Sequence, residues 1–258
     1  MITLTTGQLE AWVALYLWPF VRIAGCLMVA PVFGAGFVPA RARLVLAGAV
    51  TLLVAPLLPM PEAGPFSGQG VVIIAQQLLV GVGMGFALQL VFDAMALGGQ
   101  LLANSMGLSF AFNVDPQRGA STPVLGQFYL VLVTLVFLAL DGHLALLETL
   151  VDSFRSIPIG TTGLGREGLW ALVLWGSRLF QGALAVSLPG VTALLVVNLA
   201  FGVVSRAAPS LNLFAVGFPV TLVCGLLVVM AGLPAVGDSF TVLLRETFAF
   251  LQRLAGGP

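Results

Sequence analysis

The chain has 258 residues, with ten arginines against ten acidic residues and no lysine. Hydrophobic residues make up 59% and charged residues 8%, whereas a soluble domain carries about 25% charged residues; mean hydropathy is +1.11. So few charges cannot coat a soluble globule, which leaves apolar surface to face lipid or other protein, and the lack of a basic patch argues against a nucleic-acid partner.

A helix that crosses hydrocarbon needs about 20 apolar residues. Such runs are predicted over roughly 11–30, 44–60, 71–92, 124–140, 179–204 and 211–234, all as helices, because an open sheet leaves its edges unsatisfied in lipid. The first run lacks a basic leader: Glu10 is the first charge and Arg22 the first cation, so it reads as a retained segment and not as a signal peptide. Arg22 sits mid-segment, where a charge facing lipid is costly; a partner inside the helical assembly, with Asp93 as the candidate, is the expectation. Gly81 and Gly85 are four residues apart on one helix face, a spacing that allows a neighbouring helix to approach closely. Ordinary packing is the favoured reading of that face, and a gating hinge is the other.

Residues 93–123 break the pattern. A helix is expected to about Ser105, followed by a loop from Met106 to Thr122 that contains Gly107, Ser109 and Gly119 and shows Phe110 and Phe112 at period two. Asp115 precedes Pro116, which disfavours helix and favours a turn beside Arg118. Non-helical, aromatic backbone in a chain of this class belongs where protein buries it or where it lines a cavity.

Residues 141–156 form an amphipathic helix, with Leu144, Leu147, Val151 and Phe154 on one side and an Asp152–Arg155 pair at i, i+3 on the other. Residues 238–254 repeat the pattern, with an apolar stripe of Phe240, Leu244, Phe248 and Leu251. Each such helix lies on a membrane surface or docks on a partner. Arginines fall four on each side of a six-span arrangement, so the count sets no orientation. No polar linker divides the chain.

Catalytic chemistry is not expected. His143 is the single histidine, without a nucleophile in a G-x-S-x-G elbow, and reads as a cap or polar contact. No P-loop, G-x-G-x-x-G or EF-hand pattern occurs, so no cofactor is expected. Cys26 and Cys224 lie inside apolar runs without ligand spacing, which argues for packing and against a metal site. A small-solute secondary transporter would use ionisable groups at depth, for which Arg22, Asp93 and Arg178 are the candidates.

Three stretches carry a resemblance. The run GGQLLANSMGLSFAFNVDP, then TPVLGQF, then LVFLALDGHLALLETLVDSFRSIPIG resembles the FliR family of flagellar type III export-gate subunits, with the virulence-type secretion subunits as more distant relatives. The flanks LWPFVRIAGCLMVAPVFG with VPARARLVLAGAVT, and LPGVTALLVVNLAFGVVSRAAPSLNLFAVGFPVTL, are similar to the family's two ends. The resemblance implies an all-α, polytopic protein with a FliP-like part over 1–168 fused to a FliQ-like helical hairpin and amphipathic C-terminal helix over 169–258. It implies partners, namely several FliP-like and FliQ-like subunits and a FlhB-like switch protein, and the passage of unfolded flagellar subunits at a basal body in the bacterial inner membrane. It also makes the loop a pore plug, matched here to Met106–Thr122, with Met106, Phe110 and Phe112 as apolar bulk, Gly107 as a flexible point, and Asp115, Pro116 and Arg118 setting the turn.

Overall fold

The computed structural model describes residues 6–36, 38–59, 63–108, 124–207 and 213–256, and among them every regular element is a helix. They are α1 (Thr6–Val29), α2 (Ala40–Val54, extended by one 3₁₀ turn, Ala55–Leu57), α3 (Gly68–Ser105), α4 (Val124–Ala139), α5 (Gly142–Ser156), α6 (Arg166–Trp175), α7 (Ser177–Ala207) and α8 (Leu213–Gly256). Among the described residues five stretches are long and apolar enough to cross a membrane, or six if α4 and α5, broken at Asp141, count as one. At 38 residues α3 is about 57 Å long, nearly twice the roughly 30 Å of a bilayer's hydrocarbon.

Local chemistry sets many of the boundaries. Pro31 and Pro158 follow the ends of α1 and α5 and disfavour helix at the residue before them. α5 starts after Asp141, which is left-handed at φ 53°, and the turn between α1 and α2 holds Val32 at φ 69°, a strained value for a β-branched residue. That turn is braced by Arg43, whose Nη2 donates to the carbonyls of Ala35 (2.8 Å) and Val38 (2.7 Å).

The chain forms two compact units. The first comprises residues 1–90, 141–176 and 245–258. In it α1 and α3 run parallel, as the order of their contacts shows: Trp18 packs on Ile73, a Cβ at Gly81 would fall on the Arg22 carbonyl oxygen, and one at Gly85 would lie 2.6 Å from the Cys26 carbonyl oxygen. The Gly81/Gly85 face is therefore a packing face. The apolar residues Leu146, Leu150 and Phe154 of α5 and Phe250 and Leu251 of α8 are buried in this unit, and Trp175 of α6 stacks on Phe250 with centroids 4.1 Å apart and an angle of 7°.

The second unit comprises residues 91–140 and 177–244. Phe92 at its centre meets Phe137 and Phe240 edge-on, each at 5.3 Å between centroids, a favoured aromatic geometry. Glycines bring the helices close: a Cβ at Gly126 would lie 2.8 Å from the Ala96 carbonyl oxygen, and one at Gly182 would lie 2.7 Å from Leu243 Cδ1.

Three expectations need correction. Residues 238–254 are not a separate amphipathic helix; they are the end of α8, which runs unbroken through Pro219 and Pro234 for 44 residues. The stripe of residues 238–254 is largely buried within this chain, as Phe240, Leu244 and Leu251 show, in place of lying free for a membrane surface or partner, whereas the face that α5 buries is Leu146, Leu150 and Phe154, with Leu144 of the expected stripe exposed. A ten-residue helix, α6, precedes the segment expected to start at 179.

Candidate functional site

Among the described residues Arg22 is the fully buried charged side chain. Its Nε donates to Gln77 Oε1 (2.7 Å), its Nη1 to the Ser153 carbonyl (2.9 Å) and Oγ (3.1 Å), and its Nη2 to the Ile157 carbonyl (2.8 Å). The guanidinium also lies 4.2 Å from the centroid of the Phe154 ring. Asp93 is not the partner. Ser153 and Ile157 supply carbonyls at the C-terminus of α5, where helix carbonyls lack intrahelical donors and the macrodipole is negative. A planar fork with five donors suits that end better than an ammonium would. Arg22 thus joins α1, α3 and α5 in one buried polar cluster. The i, i+3 pair Asp152–Arg155 is present at 3.3 Å and exposed, and His143 Nδ1 is buried without a hydrogen-bond partner. No group of three His, Cys, Asp or Glu suited to a metal ion occurs among the described residues.

The break after α3 falls where the residues place it. α3 ends at Ser105, and Gly107 adopts φ 76° while its N–H donates to the Asn104 carbonyl at 3.1 Å. This is the left-handed glycine cap by which helices stop. Met106 is buried and fills a notch in α8: a Cβ at Gly225 would lie 2.5 Å from both its Cγ and its Cε. A Cβ at Gly107 would lie 3.5 Å from Cδ2 of Phe218, also on α8. From α7, Asn198 Nδ2 donates to the Ser105 carbonyl at 3.4 Å. Phe110, Phe112, Asp115, Pro116 and Arg118 lie outside the described residues. Sequence reasoning missed Gly225, Phe218 and Asn198; Asn198, polar within the apolar run LLVVNLAFG, was the one available signal.

A helical protein of the membrane class, with a buried arginine that joins three helices and a long helix stopped by a glycine cap, is what this arrangement defines. The chain belongs to the bacterial export proteins, family 1, whose profile matches residues 13–247. It is similar to the flagellar biosynthetic protein FliR of Escherichia coli (strain K12), with 38% identity over 251 residues that cover 97% of this chain and 96% of the relative. FliR of Pectobacterium carotovorum subsp. carotovorum matches equally, at 38% over the same shares. FliR of Bacillus subtilis (strain 168) is 29% identical over 247 residues, 93% of this chain and 95% of the relative.

Proposed function

We propose that this chain is a channel-forming subunit of the flagellar type III protein export gate, a multi-pass protein of the bacterial inner membrane at the flagellar basal body. The observation that carries the reading is the similarity to FliR proteins along nearly the whole chain. It assembles with several FliP-like and FliQ-like subunits, residues 1–168 corresponding to a FliP-like part and 169–258 to a FliQ-like hairpin, and works with a FlhB-like switch protein to pass unfolded flagellar subunits. The apolar faces of α7 and α8 support this: Leu195, Leu199, Val203, Leu227 and Met230 are all more than half exposed, and surface of that kind is covered by other helices or by lipid.

In this reading the segment Met106–Thr122 is the plug of the closed gate. Met106, Phe110 and Phe112 exclude water and ions, Gly107 gives the entry its bend, and Asp115, Pro116 and Arg118 form the turn. Two experiments test the proposal. Co-expression with FliP and FliQ yields one stable complex that contains this chain; a chain that transports a small solute without them overturns the gate reading. Replacing Phe110 and Phe112 together with alanine raises ion leakage through the closed gate in cells; unchanged leakage removes the plug role.

A further inference from the structure

Resting on the reading of the central segment as the plug, we infer that its entry is seated in cis by the C-terminal hairpin, with Gly225, Phe218 and Asn198 as positioning residues. Two helices converge on three successive residues. α8 offers Gly225, the bare patch of backbone that Met106 covers, where any Cβ would stand 2.5 Å from two Met106 carbons and 2.8 Å from its sulfur. One and a half to two turns earlier on the same helix, Phe218 lies against Gly107. α7 offers Asn198, which takes up the last carbonyl of α3 at 3.4 Å, a group that the helix itself leaves without a donor.

The glycines of α8 differ in a way that supports this. Around Gly232 and Gly237 no atom lies within 4 Å of where a Cβ would stand, so this chain's own packing does not demand glycine there. At Gly225 it does, and the demanding atom belongs to the first residue of the plug segment. Met106 is anchored by burial, Ser105 by a hydrogen bond, and Gly107 is held in a left-handed turn that points the chain away from the axis of α3. A force that moves α7 or α8 therefore moves this seat.

The test fills the notch and then empties it again. In a C26A/C224A background of the full chain, co-assembled with FliP and FliQ, cysteines at 105 and at 202, one turn along α7 from Asn198 and in open space, are joined by a bis-maleimide, and the yield reports whether the stem is seated. Gly225→Val is expected to cut that yield by about fivefold or more, since an added side chain in a filled site forces its neighbour out. Adding Met106→Ala restores it. If Gly225→Val prevents assembly, Gly225→Ala, which adds one carbon, shows a smaller fall that Met106→Ala again reverses. A yield insensitive to both Gly225 substitutions, or a fall that Met106→Ala does not reverse, overturns the inference. Ion leakage is read in parallel: a seated stem that responds as expected while the Phe110/Phe112 variant does not leak leaves the seat standing and removes only the plug reading.

Discussion

The two units hold apolar helices together with one shared device, glycines at close approaches, and differ in what they add to it. Of the twenty charged residues, the second unit contains Asp93, Asp115, Arg118, Arg178, Arg206 and Asp238, and the first contains the other fourteen. The first unit is pinned at one buried polar point, Arg22 and its acceptors. The second adds edge-on aromatics instead, and both use glycines that let backbone meet backbone. A hydrogen-bonded pin fails when one donor is lost, because its acceptors remain buried and unmet. A packed aromatic contact fails by the volume removed. The polar unit therefore tolerates the smaller chemical change, and the apolar unit the larger.

That contrast can be broken in order of size. Arg22→Ala strands the Ser153 and Ile157 carbonyls and Gln77, and is expected to cost about 3–5 kcal/mol. Arg22→Lys, which keeps the charge and loses the fork, is expected to cost about half as much. Thermal unfolding in detergent checks both, and a lysine variant as stable as the unmodified protein removes the argument from fork geometry. In the second unit Phe92→Ala costs about 3–4 kcal/mol while Phe92→Leu costs under about 1.5; equal losses for the two would mean that volume is not what holds this unit. The smallest pair concerns glycine. Gly81→Ala presses a Cβ onto the backbone of α1 and costs about 1–3 kcal/mol, whereas Gly232→Ala, in open space, is neutral or stabilises by up to about 1 kcal/mol. If Gly232→Ala leaves the isolated chain intact and instead lowers recovery of the complex with FliP and FliQ, that glycine serves a neighbouring subunit.

What could be read ahead of the structure was whatever depends on neighbours in sequence. The stop at Ser105 was legible because Met-Gly-Leu-Ser and Asp115-Pro116 are local signals, and the Asp152–Arg155 pair because three residues separate its members. The close approach at Gly81 and Gly85 was legible because the spacing places both on one face, although not that α1 would be the neighbour. Arg22 was not assignable: its acceptors on α5 are 131 and 135 residues away, and two are main-chain carbonyls, which no residue type announces. α8 was misread as two helices because Pro234 and Asp238 look like a break. Proline inside a long helix bends or weakens it without ending it when packing holds the flanks, and Val236 and Phe240 are buried directly after it. α6 was missed because Gly176 and Ser177 hide the boundary between it and α7. Of the seven residues expected at the plug, Met106 and Gly107 are described, and their partners Gly225 and Phe218 lie more than a hundred residues onward.

The pin at Arg22 also sets a schedule. Ribosomes add about 5–20 residues per second, so the 131 residues between Arg22 and Ser153 represent on the order of ten seconds of synthesis. Throughout that interval α1 is a newborn helix whose central cation has at most Gln77 to answer it, a burden of about 2.5–3.5 kcal/mol against entering hydrocarbon. The first helix made is thus among the last to settle, and it waits for the end of α5 before its place is fixed.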